Sequence, residues 1–463
     1  MFASRYLVVV CRRSAACAGL ALLIGCLSTV AYAQRYKSIP VELNEREANR
    51  LKVVFATAVR NPAGFGAAEA DVESYLKKSF FPTMTLFTDD ALMELAPSRE
   101  RLFKQMIPQA GNSASQQYLI EMTFNVARVL ARGNFHPAVR YNAVLMLGDL
   151  DQQLATATAA AVPLGKATQE LLELVEQEQF NKIPVPESVK LGALIGLERH
   201  SRLGIDPGLK ERTTTAMLKV VASPTPADVE SDVHDWVRRT AAQVLANQSA
   251  QGPTKAVQAA ITALIADNKV GLDDRCGTAA VLKKITYPAG ADIDGGATTD
   301  ALAQLTLDVI TEAAELARDY QDEALEGADL SAGPGGGRGG YGGGYGGGGE
   351  YGGGRGGYGG GMSEEDMGPQ FERRQVFARL YDIAIGGNSL KAGLADEPKA
   401  RLEALAKEFY PAMQTMEDKD ATDVDVSKKV IELEAALKTL MQSWGKPVAA
   451  DKPAKKAEAF AEN

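Results

Sequence analysis

Three histidines, four cysteines and two short acidic runs are the side chains in this 463-residue sequence best suited to carry chemistry. His136, His200 and His234 each stand beside an expected helix end, and none has a second ligand four residues on. Turn or cap roles are expected for them, because a helical metal site needs a second donor on the same face. Cys276 is the one cysteine far from the N-terminus, and Asp274-Arg275-Cys276-Gly277 offers no neighbouring His or Cys, so a buried small hydrophobe is expected there. Asp418 to Asp425 begins like a calcium loop, but Asp423 occupies the glycine position and Lys429 the position of the bidentate Glu. Asp292-Ile293-Asp294-Gly295-Gly296 also stops short of a full ligand set, and both runs read as acidic loops. No H-E-x-x-H, G-x-S-x-G or P-loop Gly-Lys-Ser/Thr occurs. The expectation is a chain without metal, cofactor or catalytic site; the alternative is an enzyme whose active site is assembled from carboxylates on separate helices.

A second chemical signal is the glycine tract. Gly-Gly-Gly-Arg-Gly-Gly-Tyr-Gly-Gly-Gly occurs from Gly335 to Gly344 and again from Gly352 to Gly361. With Tyr341, Tyr345, Tyr351 and Tyr358 interleaved, it resembles the RGG segments of RNA-binding proteins, where arginine meets phosphate and tyrosine stacks on bases. Only Arg338 and Arg355 supply positive charge, offset by Glu350. A flexible insert is therefore favoured, with binding of nucleic acid or wall polymer as the alternative.

The N-terminus sets the compartment that these arguments assume. Arg5, Arg12 and Arg13 precede an apolar run from Ser14 to Leu27, and small residues follow at Ala31 and Ala33. This is the pattern of an export leader, and cleavage after Ala33 would leave Gln34 first. Leu23-Ile24-Gly25-Cys26 resembles the lipobox of bacterial lipoproteins, in which Cys26 would be acylated. Cys11, Cys17 and Cys26 all lie in the leader, so the mature chain keeps only Cys276 and cannot form an internal disulfide. The formal charge is −9, and loss of the three leader arginines makes it more negative by three. Nucleic acid is not an expected partner of such a chain.

The elements that position these residues are expected to be all-α. Apolar residues recur at helical spacing in Leu119, Met122, Val126 and Val129, in Val257, Ile261, Leu264 and Ile265, in Leu302, Leu305, Val309, Ala313, Leu316 and Tyr320, and in Val430, Leu433, Leu437, Leu440 and Trp444. Pro- and Gly-containing clusters at Ala131 to Pro137, Ile183 to Pro186, Ser223 to Pro226 and Ala289 to Ala297 cut the chain into helices of ordinary length. A phrase V-[RK]-x-x-A-x-x-x-L starts at Val139, Val189 and Val237, at spacings of 50 and 48 residues, with a degenerate copy from Asp274 to Leu282. Its alanine lets helices approach closely while Val and Leu fill the space between layers.

These phrases, with Pro137-Ala138-Val139-Arg140 as the fullest opening, resemble the second helix of HEAT repeats. The resemblance covers about Ser113 to Tyr320. It implies helical hairpins stacked as an α-solenoid, a protein-binding role, and an Asp-Arg ladder between neighbouring units. Asp232 stands six residues before Arg238 and Asn134 six before Arg140, as the ladder requires; Lys190 and Arg275 hold the arginine place but follow Pro184 and Lys269. The expected organisation is a leader (1–33), an N-terminal helical region (34–112), HEAT-like repeats (113–330), a disordered insert (331–363), C-terminal helices packing on the repeats (364–445) and a flexible tail (446–463). The expected function is that of an exported scaffold in the periplasm or cell envelope that binds a protein partner, touching membrane only through the leader or a lipid on Cys26.

Overall fold

The computed structural model describes residues 36–227, 229–331 and 373–445. The expected export leader with Cys26, nearly all of the glycine tract and the expected tail lie outside the described residues. The chain is mostly helical and divides into two compact units, one of residues up to 119 with 129–143, the other of 120–128 with 144 onward.

The first unit contains α1 (Glu45–Ala58), α2 (Glu69–Tyr75) and α3 (Leu95–Arg101). Asn44 opens α1 by accepting the Glu47 N–H at 2.9 Å, which satisfies one of the donors a helix start leaves unpaired. Leu51, Phe55, Val72 and Tyr75 bury between α1 and α2, with the Phe55 and Tyr75 rings 5.3 Å apart. A π-helical turn, Leu76–Phe80, follows α2, and Pro82 stands two residues beyond its end. Pro82 has no N–H for the Lys78 carbonyl, which accepts instead from Glu42 N at 3.0 Å. A second π turn, Leu102–Met106, extends α3.

Two helices, α4 (Ser113–Arg132) and α5 (Pro137–Asp149), contribute residues to both units. The second unit continues with α6 (Gly165–Glu176), α7 (Glu187–Leu203), α8 (Pro207–Val221), α9 (Ser231–Gln248), α10 (Lys255–Ala266), α11 (Leu272–Val281), α12 (Gly295–Ser331), α13 (Arg373–Leu390), α14 (Asp396–Glu417) and α15 (Asp423–Ser443). Consecutive helices pack as pairs: α6 on α7, α8 on α9, α10 on α11 and α12 on α13. The second members also pack in sequence, α7 on α9, α9 on α11 and α11 on α13, as do the first members α6, α8, α10 and α12. Helices α14 and α15 pack on each other and on α12.

The small and apolar positions of the repeated phrase are buried. Ala143, Ala193 and Ala241 are fully buried, as is Thr278 in the degenerate copy. Leu147, Leu197, Leu245 and Leu282, at the last position of the phrase, are buried too. Helices α5 and α7 approach closely at Gly148 and Gly196, where a Cβ built on Gly148 would meet the Gly196 Cα at 2.7 Å.

Two short antiparallel hairpins interrupt the helices where the sequence reads only loops. Strands β1 (Asp151–Gln153) and β2 (Val162–Pro163) lie between α5 and α6, and β3 (Gln179–Phe180) and β4 (Ile183–Pro184) between α6 and α7. Asn181 and Lys182 both take positive φ, 50° and 67°, the geometry that a two-residue turn with the native strand twist requires. Strands of two or three residues are too short for alternation to show in the sequence. Two expected stripes also shift: Val129 and Leu316 are exposed, while Ala127 and Leu130 in α4, and Ala314 and Ala317 in α12, are buried.

Candidate functional site

Arginines of the repeated phrase share one mode of contact. Arg140 Nε donates to the Ala131 carbonyl at 2.9 Å, Arg238 Nε to Val221 at 2.9 Å and Arg275 Nε to Ile265 at 2.8 Å. Each acceptor is the last or next-to-last residue of the preceding helix, so each guanidinium caps carbonyls that have no intrahelical donor and meets the negative end of that helix. Two of these arginines also reach a carboxylate: Arg238 Nη2 lies 3.0 Å from Asp267 and Arg275 Nη1 2.8 Å from Asp308. Lys190 replaces arginine in α7 and reaches Glu178, just beyond α6, at 3.1 Å.

Asp232 and Arg238 do not pair with each other. Asp232 accepts from the Ser231 hydroxyl at 3.2 Å, and the carboxylates near Arg238 are those of Asp267 and Asp235. Six residues along one helix rotate a side chain by about 240° and lift it by about 9 Å, so two such groups on α9 do not face each other. Asn134 accepts the Lys37 N–H through its own backbone carbonyl, while the Arg140 Nε is turned to Ala131.

A groove of about 660 Å³ lies between α10, α12 and the C-terminal end of α15. Ala259, Ala263 and Ala266 line it from α10, Ala297 and Ala301 from α12, and Met441 and Trp444 from α15 and the turn after it. The spacing of four and three residues puts the α10 alanines on one exposed face. Beside it is a satisfied polar core: Gln258 accepts from the Tyr287 hydroxyl at 2.8 Å and donates to Thr298 at 3.1 Å, and burial pushes the Tyr287 phenol up. At the rim Asp300 pairs with Arg401 at 3.3 Å, and that guanidinium stacks on the Trp444 ring. The volume is that of sites that take a small ligand or one anchor segment of a partner. Its alanines were unreadable as a site in the sequence, because alanine serves equally on a buried seam, an exposed helix face and a groove wall.

The histidines separate into different roles. His136 precedes α5 and accepts the Ala138 N–H at 3.3 Å, a local cap. His200, in the last turn of α7, is fully buried between Thr168 Oγ1 at 2.9 Å and the Gly148 carbonyl at 3.1 Å. A carbonyl only accepts, so the neutral ring carries its hydrogen on Nε2 and accepts the threonine hydroxyl on Nδ1. Burial, helped by the neighbouring Arg199, lowers this imidazole from 6.5 to about 4. His234, in the first turn of α9, is buried and lies 3.0 Å from Glu187 and 3.2 Å from Ser223. Glu187 and Ser223 carried no motif in the sequence, being separated from His234 by 47 and 11 positions.

Cys276 is buried, and desolvation pushes its thiol up to about 12. Both acidic runs serve helix starts. Asp294 accepts the Ala297 N–H at 2.8 Å at the head of α12, and Thr422 and Asp425 form a reciprocal cap on α15. Among the described residues no three His, Cys, Asp or Glu side chains gather as a metal site, and no helix is long and apolar enough to cross a membrane.

No family model, curated protein or solved structure matches this chain.

Proposed function

We propose that the chain is an exported scaffold of HEAT-like helical hairpins that binds a protein segment in the cell envelope. The observation that carries this is the packing of successive helix pairs in two rows, with the phrase residues Ala193, Ala241 and Thr278 buried in the row of second members. Stacked pairs of this kind build extended surfaces, which is how helical repeats hold partners. The Arg238 and Arg275 caps fix α9 and α11 to the ends of their partner helices and to a carboxylate of the following pair. That repeated fastening favours a rigid frame over an adaptable one. Fold alone does not give function, so the site matters. The alanine-walled groove between α10, α12 and α15 is where a partner segment would bury apolar area against preformed walls. Export rests on the leader sequence.

The test is capture from an envelope extract with immobilised residues 34–463, repeated with Ala263→Arg and with the segment from Gly333 to Met362 removed. A partner retained by the wild type and by the deletion, but lost by Ala263→Arg, is the expected result. Capture insensitive to Ala263→Arg would remove the groove from the proposal. Loss on deletion alone would shift the binding role to the glycine tract.

A further inference from the structure

Beyond the scaffold role, three side chains from two successive helix pairs meet in an order that suits covalent catalysis. Glu187 is the first residue of α7, Ser223 lies just past the end of α8, and His234 sits in the first turn of α9. His234 Nδ1 is 3.0 Å from Glu187 Oε1, and its Nε2 is 3.2 Å from Ser223 Oγ. The imidazole is almost fully buried, while the serine is half-buried. The cluster borders a cavity of about 380 Å³ whose other walls include Val175, Leu194, Val220 and Pro224.

Hydrogen accounting assigns the roles. An ionised carboxylate only accepts, so a neutral imidazole must carry its hydrogen on Nδ1 to bond Glu187. Its Nε2 is then a lone pair, and the Ser223 hydroxyl is the donor facing it. That hydroxyl has a second acceptor, the Val220 carbonyl at 2.7 Å, so one rotation turns its hydrogen between the helix end and the ring. Once Nε2 gains a proton, the Ser223 carbonyl, also 3.2 Å away, can accept it. Glu187 faces the other side of the same ring. The surroundings thus satisfy both the neutral base and the imidazolium that forms during proton transfer.

We propose that Ser223, His234 and Glu187 form a nucleophile, general base and positioning carboxylate that hydrolyse small carboxylic esters with apolar acyl groups. As Ser223 Oγ bonds to the ester carbonyl carbon, its proton passes to His234 Nε2 and the carbonyl electron pair moves onto oxygen. Collapse of that adduct breaks the bond to the alkoxy oxygen, which takes the proton from Nε2 and leaves as the alcohol. Water, giving a proton to Nε2, then attacks the acyl-serine and releases the acid, and the proton returns to Ser223 Oγ. Lys190 and Lys219 line the same cavity and bring it positive charge, which favours a developing oxyanion. Lys190 is already engaged by Glu178, and its Nζ lies 3.9 Å from Glu187, so Lys219 is the cation left to answer that charge. A mobile ammonium is a weaker oxyanion partner than fixed N–H donors, and turnover is expected to be slow, with acylation visible as a burst.

The test uses the purified chain with a fluorophosphonate probe and with p-nitrophenyl butyrate. The expected result is probe attached to Ser223 in the peptide map and a burst of nitrophenolate close to the amount of protein. Ser223→Ala should abolish both while the circular dichroism spectrum and melting curve stay unchanged. His234→Gln should slow labelling by about 100-fold or more. Glu187→Gln, which keeps an acceptor for Nδ1–H but removes the charge that favours the imidazolium, should lower kcat with little change in KM. Wild-type protein that stays unlabelled at Ser223, or Ser223→Ala that keeps the burst, overturns the proposal. Neither outcome bears on partner capture by the groove.

Discussion

At the scale of single residues, Arg238 and His200 show how a buried polar group can hold structure in two ways. Arg238 is fastened twice, to the carbonyl end of α8 and to Asp267, with a side chain only 13% exposed. Arg238→Ala strands both acceptors, and a loss of about 1 to 3 kcal/mol in urea unfolding is expected. A change within about 0.3 kcal/mol would reduce the contact to a surface pair. His200 acts through the proton that it refuses. Its folded-state value of about 4 lies below the unfolded 6.5, so between those limits the unfolded chain binds a proton that the folded chain does not. Stability is therefore insensitive to this group above pH 6.5 and falls as pH drops toward 4, by on the order of 3 kcal/mol in all. His200→Gln should flatten that part of the urea-midpoint profile relative to wild type, and parallel profiles would contradict the assignment. Cys276, with its thiol raised to about 12 and buried, should resist iodoacetamide at neutral pH until the protein unfolds.

Between helices, the decisive contacts are made by residues that carry little side chain. A Cβ built on Gly386 of α13 would fall 2.0 Å from the Ala279 carbonyl of α11, so the two helices meet backbone to backbone. Gly386→Ala must push them apart, and a fall in stability of about 1 to 3 kcal/mol or more is expected on thermal unfolding. Asn388, exposed on the same helix, should tolerate alanine and serves as the control. A neutral result at Gly386 would mean that α13 does not pack as described. The phrase residues Val139, Ala143 and Leu147 were legible as core because their period matched a helix and the same spacing returned in later copies. Val129 and Leu316 misled because each sits near the edge of an apolar stripe. There, nearby alanines such as Ala127 and Ala317 take the buried positions that the larger side chains leave to them. Arginine positions were legible as well, but not their partners. A backbone carbonyl at the end of another helix has no sequence signature, and Asp267 and Asp308 lie 29 and 33 positions from the arginines they meet. The cluster of Glu187, Ser223 and His234 was hidden for the same reason, since packing of successive helix pairs creates it.

For the second unit as a whole, the question is whether the chain on either side of the glycine tract forms one cooperative body. Helix α12 comes before the tract and α13 after it, and the two pack on each other. Helix α13 also packs on α11, and α15 on α12, so contacts made by the later helices return repeatedly to the earlier ones. Arg379 of α13 binds Glu312 of α12 and Asp273 of α11, each at 2.7 Å, and Arg318 of α12 pairs with Glu434 of α15. A connection between helices that already share a core costs little to lengthen, about 0.6 kcal/mol for each doubling. A protease recognition sequence placed between Gly346 and Gly347 makes this testable. After complete cleavage, the two fragments are expected to elute together on native gel filtration, to unfold in a single transition, and to separate only in denaturant. If α13 to α15 made a separate domain, the fragments would part under native conditions and melt independently. Cleavage should lower the midpoint, because the break turns an intramolecular association into one that depends on concentration, and dilution of the cleaved protein should lower it further. An uncleaved control whose midpoint does not move with dilution completes the comparison, since the concentration dependence must arise from the break if the helices on both sides belong to one core.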